Sequence, residues 1–331
     1  MIRAASPRLR VAPVVMFTVL LTYLFLLAGC SSDQSNDAER DLGSPRAARS
    51  SGNPKAGRLL SEPSPITVVH GVGSLRSIPA TDDWPQNLPI VGEDLATLTA
   101  LECAPGTPGC ELDDLEALAA GEIDVISLAT SGADDASPAA LAEAADRLAD
   151  LSVAPIGYGA TIREAVQPVI ISDIERSIAF FAISLDRELA IEASDTTPGI
   201  AGPDAFGDLL GAITQAEEPN VMSVVSINWG TIDSRAPSIE QVAVAQQLID
   251  AGADALVGHG ARFLQRLELI ESIPVIYSLG DATSAATEQV DRDTAVLRVV
   301  FASRLEATCL LPATATQNGP ILDKPEKTDC G

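Results

Sequence analysis

Two histidines, His70 and His259, are the entire imidazole supply of this 331-residue chain. Each follows a short apolar run, where a histidine can act as a base or ligate a metal; a structural or solvated histidine is the plainer alternative. Asp281 follows another such run, and Glu93 lies in an irregular stretch. These two carboxylates would make a weak site for a single cation, because nothing fixes their geometry. Arg262 would recognise a carboxylate or a phosphate, or else close a surface ion pair. Asn228 and Ser131 bring groups able to hydrogen-bond a ligand or to satisfy loop backbone. Gly71-Val72-Gly73 follows a strand as a nucleotide loop would, but position 76 is arginine where the dinucleotide fingerprint has its third glycine. There is no Gly-x-Ser-x-Gly elbow. The candidate cleft residues are therefore His70, Glu93, Ser131, Asn228, His259, Arg262 and Asp281, with no catalytic step assigned to any of them.

Short apolar strands and amphipathic helices alternate along the chain to position these residues. Strands are expected at 66–69, 123–129, 153–156, 221–227, 255–257, 273–277 and 294–302. A hairpin is expected from 168–171 and 177–185. Helices are expected at 112–119, 137–151, 160–165, 203–215 and 238–251. The 137–151 helix opens on Ser137-Pro138, a cap followed by proline in the first turn. This alternation predicts an α/β fold with buried sheets, in more than one layer towards the end of the chain.

The start of the chain has a different character. Arg3, Arg8 and Arg10 precede an apolar run, Val11 to Leu27, that ends in Leu27-Ala28-Gly29-Cys30. A charged start, an apolar middle and a small-residue cleavage site make a secretory leader, here residues 1–29. Leu-Ala-Gly-Cys is also a bacterial lipobox, so Cys30 is expected to carry the lipid and the domain to face the extracytoplasmic side of the cell membrane. The run is short for a membrane span of ~20 residues. Residues 30–63 are rich in Ser, Asp, Arg, Gly and Pro and read as a disordered tether, with a root-mean-square reach of about 30 Å. The globular part is then 64–331.

The chain carries 21 basic and 46 acidic side chains, a net charge of −25. Such a surface disfavours nucleic acid as a partner. Beyond the lipid anchor, the expected partners are an envelope polymer or an envelope protein. Four cysteines remain after Cys30, an even number in an exported protein, which suggests disulfides. Their spacing favours two local pairs, Cys103–Cys110 and Cys309–Cys330.

Three segments carry a family resemblance. Residues 127–159 read SLATSGADDASPAALAEAADRLADLSVAPIGYG, residues 224–230 read VVSINWG, and residues 247–280 contain LIDAGADALVGH followed by IPVIYSLG. In this order and spacing they resemble the CapA-like, poly-γ-glutamate capsule synthesis family of the metallophosphatase superfamily, over about 64–285. The resemblance implies a four-layer α/β/β/α sandwich of the metallophosphatase (calcineurin-like phosphoesterase) type. It also implies a metal site at the carboxyl ends of the strands, where open α/β sheets place ligands.

Carried over position by position, the implied ligands are substituted. The Asp of the family's Gly-Asp pair falls at Gly71, and the Glu of its Asn-Leu-Glu segment at Glu93. Its Ala-Asn-Asn-His motif is Ala129-Thr130-Ser131-Gly132, and its His-Trp-Gly is Asn228-Trp229-Gly230. Its Gly-His-His-Pro-His is Gly258-His259-Gly260-Ala261-Arg262, with the two ligand histidines at Gly260 and Arg262. A two-metal phosphoesterase needs several Asp, His and Asn ligands. The expectation is a pseudoenzyme of capsule or exopolymer synthesis or attachment, with no metal cofactor. The alternatives are a hydrolase rebuilt around Glu93, Asp281, His70 and His259, and a solute-binding lipoprotein. The latter class usually has two similar lobes about a hinge, which the sequence does not display.

Overall fold

A computed structural model describes residues 67–78, 96–121, 123–172, 176–187, 189–283, 293–301, 305–316 and 319–323. Cys30, Glu93 and Cys330, and with them the leader, the tether and the Cys309–Cys330 pairing, lie outside the described residues. Among the described residues no helix is long and apolar enough to cross a membrane.

The first sheet is built on β1 (Thr67–Gly71), β2 (Ala96–Ala100), β3 (Val125–Ser127) and β4 (Ala154–Ile156), which run parallel. The two-residue strand β5 (Tyr158–Gly159) and the antiparallel edge strand β6 (Val169–Ser172) follow. The second sheet begins with β6 paired to β7 (Ser177–Ser184), while β8 (Gly199–Ile200) pairs separately with β5. It continues through β9 (Val221–Asn228), β10 (Ala255–His259), β11 (Leu267–Ile270) and β12 (Ile273–Ile276). The chain then returns to the first sheet as β13 (Asp293–Phe301), β14 (Leu305–Thr316) and β15 (Gly319–Leu322). Among the described residues the sheet orders are β15-β14-β13-β1-β2-β3-β4 and β11-β12-β10-β9-β7-β6. The helices are α1 (Glu116–Ala120), α2 (Pro138–Asp150), α3 (Ile162–Ala165), α4 (Phe206–Gln215) and α5 (Ile239–Asp250).

Side-chain alternation along a strand explains the layering. In β7, Ile178, Phe180 and Ala182 join one core, while Ala179, Phe181 and Ile183 join another. The first core also takes Val69 and Leu98 of the first sheet and Leu141 and Leu148 of α2. The second takes Leu209 and Ile213 of α4 and Ala245 and Leu248 of α5. Two buried sheets thus lie face to face, with helices on their outer sides. A strand buried on both faces carries apolar or small residues at successive positions, as in residues 178–183 of β7 and in β9, where only Ser223 and Ser226 interrupt the apolar residues before Asn228.

Local signals account for the helix starts. Ser137 accepts from the Ala140 backbone N–H at the start of α2. Ser238 and Gln241 form a reciprocal capping box at the start of α5. The 168–171 and 177–185 segments do pair antiparallel, as β6 and β7. Several strands lie outside the expected set. β2 has a single large apolar residue, Leu98, β11 is only four residues long, and β14 and β15 are interrupted by Pro312 and Pro320. Strand β1 also extends two residues beyond Val69, with a consequence for the site.

Candidate functional site

The carboxyl ends of both sheets meet in one cluster. From the second sheet, Ser184, Asn228 and His259 are the last residues of β7, β9 and β10. Their pairing, Ser184 with Asn228 and Asn228 with His259, aligns the three side chains on one face. From the first sheet, Ser74 follows β1, Glu102 follows β2 and Ser131 follows β3.

Glu102 is the centre of this cluster. The carboxylate is buried and accepts from Ser131 Oγ at 3.1 Å and from the Gly132 backbone. The surrounding groups fix the orientation of the Asn228 amide. Its nitrogen donates to Glu102 Oε1 at 3.1 Å, and its oxygen accepts from Ser184 Oγ at 3.0 Å and from the Ser131 N–H at 3.1 Å. Burial pushes the Glu102 carboxyl above its usual range. The Arg76 charge and the hydrogen bonds from Ser131 and Gly132 draw it down, and Asp186 pushes it up again.

The backbone around this knot is tightly fitted. Trp229, next to Asn228, donates its indole N–H to the Tyr277 carbonyl at 2.8 Å and stacks on the Tyr277 ring. A side chain at Gly132 would run into the Glu102 carbonyl, and one at Gly260 into the Asn228 amide. Gly132→Ala is therefore expected to destabilise the protein by roughly 2 kcal/mol or more, read from the urea denaturation midpoint.

His259 lies beside the knot, 1% exposed, with Nδ1 at 3.3 Å from Ser74 Oγ. Its Nε2 has no hydrogen-bond partner among the described residues. Burial drives its pKa down to about 3, so the ring is neutral at physiological pH. Further out, Asp281 pairs with two guanidiniums. Arg76 Nε and Arg262 Nε each stand 3.7 Å from Asp281 Oδ2. Burial raises the Asp281 pKa to about 7; Arg76 opposes this, Glu102 adds to it, and Arg262 opposes it.

These placements revise several readings of the sequence. Gly71 faces Val257 of the second sheet and Leu279 beyond β12, within the apolar core, so the position expected to match a ligand Asp is not at the cluster. The residue of that segment which reaches the cluster is Ser74. His70 lies inside β1 rather than after it, and alternation turns it away from the second sheet. His70 and His259 therefore do not converge, as a hydrolase rebuilt around both would require. Glu93 is outside the described residues; the carboxylate that follows the second strand is Glu102. Asn228, Ser131 and His259 are brought together, with Arg262 and Asp281 alongside. Ser74, Arg76, Glu102 and Ser184 were missed. The alternation of Ala96–Ala100, leading directly into Leu101-Glu102, was the available signal for Glu102. Cys103, the next residue, stands at disulfide distance from Cys110, with S–S 2.08 Å.

Two divalent cations about 3.5–4 Å apart need several anionic or imidazole donors between them. Glu102 is already engaged by three donors, and Asp281 is flanked by two positive charges. Among the described residues, no group of three or more His, Cys, Asp or Glu side chains is placed to hold a metal. This donor set does not fit a two-metal centre.

Two face-to-face sheets under helices, with polar groups gathered at the carboxyl ends of the strands, define a metallophosphatase-type α/β sandwich. Solved structures agree on the fold. A hypothetical protein from Thermus thermophilus matches with a TM-score of 0.50 at 14% identity, covering 75% of this chain and 99% of its own. A putative 5'-nucleotidase from Staphylococcus aureus matches with a TM-score of 0.50 at 12% identity, covering 80% and 56%. Within that class, the chain belongs to the bacterial capsule synthesis protein PGA_cap family, whose sequence model matches residues 108–286. A probable polyglutamine synthesis accessory protein of Mycobacterium tuberculosis is 26% identical over 179 residues, 51% of this chain and 47% of that protein. The capsule biosynthesis protein CapA of Bacillus anthracis is 36% identical over 77 residues, 22% of this chain and 19% of that protein. The chain thus spans half or less of the length of these curated relatives. Ser74 and Glu102 precede the stretch matched by the family model.

Proposed function

We propose that this protein is a lipid-anchored, CapA-like envelope protein of capsule or exopolymer synthesis or attachment, of the poly-γ-glutamate type. In this reading it binds at its strand-end cleft and does not carry out two-metal hydrolysis. The observation that carries the reading is the Glu102–Ser131–Asn228 knot, in which the chain's own amide, hydroxyl and N–H groups use up the cleft carboxylate. Family membership and the names of the relatives support the capsule assignment. The Leu-Ala-Gly-Cys sequence ending at Cys30 supports an anchor on the outer side of the cell membrane.

The test uses the full chain, purified in detergent. Elemental analysis is expected to find substoichiometric divalent metal. Turnover of a generic phosphodiester with added manganese is expected to stay at the level of a no-enzyme control. Stoichiometric metal together with turnover would overturn the reading.

A further inference from the structure

We propose that Arg76 and Arg262 form a receptor for one compact oxyanion, a carboxylate or phosphate group, whose place Asp281 occupies in the unliganded protein. The inference rests on the reading of the cleft as a binding site and names the chemistry of its ligand. Both guanidiniums converge on a single oxygen, Asp281 Oδ2, each at 3.7 Å. Arg262 also hydrogen-bonds the Asp281 side chain, whereas Arg76 Nε stands beyond direct hydrogen-bond distance of that oxygen. The Asp281 side chain is 10% exposed, against 20% for Arg262 and 34% for Arg76. The carboxylate is thus the deepest member of the set, and the two guanidiniums are the members that solvent reaches.

Both arginines have distinctive backbone settings. The Arg76 N–H donates to Thr283 Oγ1 at 2.9 Å. Arg262 has φ 66°, in the left-handed region that residues with side chains seldom occupy. Such a conformation persists where the surrounding structure enforces it, and it marks positions worth examining for function. Guanidinium forks suit planar carboxylates and phosphates, which they bind in bidentate fashion.

The charges around Asp281 limit what binds. Glu102 acts on Asp281 from the segment after β2, Arg76 from the segment after β1, and Arg262 from the segment after β10. An incoming oxyanion must compete with Asp281 for the two guanidiniums. The chain as a whole carries −25, which repels a polyanion lying along its surface. At physiological salt that field is screened beyond about 8 Å, so a single group can still reach the arginines. The ligand is therefore a terminal or isolated oxyanion rather than a run of a charged polymer.

The test is calorimetric titration of the full chain in detergent, at constant ionic strength, with inorganic phosphate and with glutarate, and with chloride as control. Asp281→Asn is expected to bind at least one of the two probes about tenfold more tightly than the unaltered chain. Adding Arg76→Gln or Arg262→Gly to Asp281→Asn is expected to remove about tenfold or more of that affinity. Glycine suits the φ of position 262, and circular dichroism verifies the fold of each variant. The preferred probe distinguishes a phosphate ligand from a carboxylate ligand. If Asp281→Asn binds neither probe better than the unaltered chain, or if the arginine changes leave its binding intact, the three residues are an internal ion-pair cluster and the receptor is refuted. Metal-dependent turnover would overturn the binding reading of the cleft yet leave a tightened Asp281→Asn titration standing, so the two failures are distinguishable.

Discussion

Asn228→Leu is expected to lower the stability of the protein by about 3 kcal/mol or more, since each buried group left unsatisfied costs about 1–3 kcal/mol. The substitution keeps the approximate volume of the side chain but deletes its donor and its acceptor. Glu102 Oε1 loses a donor, and Ser184 Oγ and the Ser131 N–H lose their acceptor, all within a buried cluster. Unsatisfied buried groups retain their full desolvation cost, which exceeds the net gain from making an ordinary hydrogen bond. In a domain of this size the melting temperature falls by roughly 2–4 °C per kcal/mol, so a drop on the order of 10 °C is expected by calorimetry. Ser131→Ala removes one hydroxyl from the same carboxylate and should cost less. Equal and small losses for both substitutions would show that the knot contributes little.

The second large effect is a dependence of stability on pH. The Asp281 carboxyl titrates at about 7 in the folded protein, against an ordinary value of 3.8. Between those values the folded state keeps a proton that the unfolded state releases. Stability therefore falls as pH rises from about 4 to about 7, by up to ~1.4 kcal/mol per pH unit for one group, and levels off above. The raised Glu102 carboxyl adds a slope of the same sign. Melting temperatures measured from pH 5 to pH 8 should decline by several degrees. General charge repulsion in so acidic a chain produces the same trend, so the deciding comparison is Asp281→Asn. This variant should melt higher than the unaltered chain at pH 8 and show a shallower slope. An unchanged slope would assign the effect to overall charge.

Much of the scaffold is readable from residue patterns because it is dictated locally. Helices α2 and α5 begin at serines whose side chains cap them, and β7 and β9 are dominated by apolar residues because both their faces are covered. The strands that escape notice depend on their neighbours. In β14, Glu306, Pro312 and the alanines carry little strand signal, and pairing with β13 holds the strand in place. The same division runs through the site. Asn228, His259, Arg262 and Asp281 sit in or next to recognisable segments. Ser74 and Glu102 were missed because their positions depend on where a short strand ends. Reading β1 as ending at Val69 puts Gly71 at the site; with the strand ending at Gly71, Ser74 arrives there instead. Register of this kind is set by the sheet, and no single strand contains it.

The site also bears on how the chain folds. The Ser74–His259 contact joins residues 185 apart, and the Arg76–Thr283 bond joins residues 207 apart. Contacts of such range require large loops to close before they bring any reward, and they are features of slowly folding topologies. No early fragment of the chain contains both halves of the cleft. The cleft is completed only when the segment after β1 meets the segments after β10 and β12, so a competent cleft is a late event and a reporter that the whole sandwich has closed.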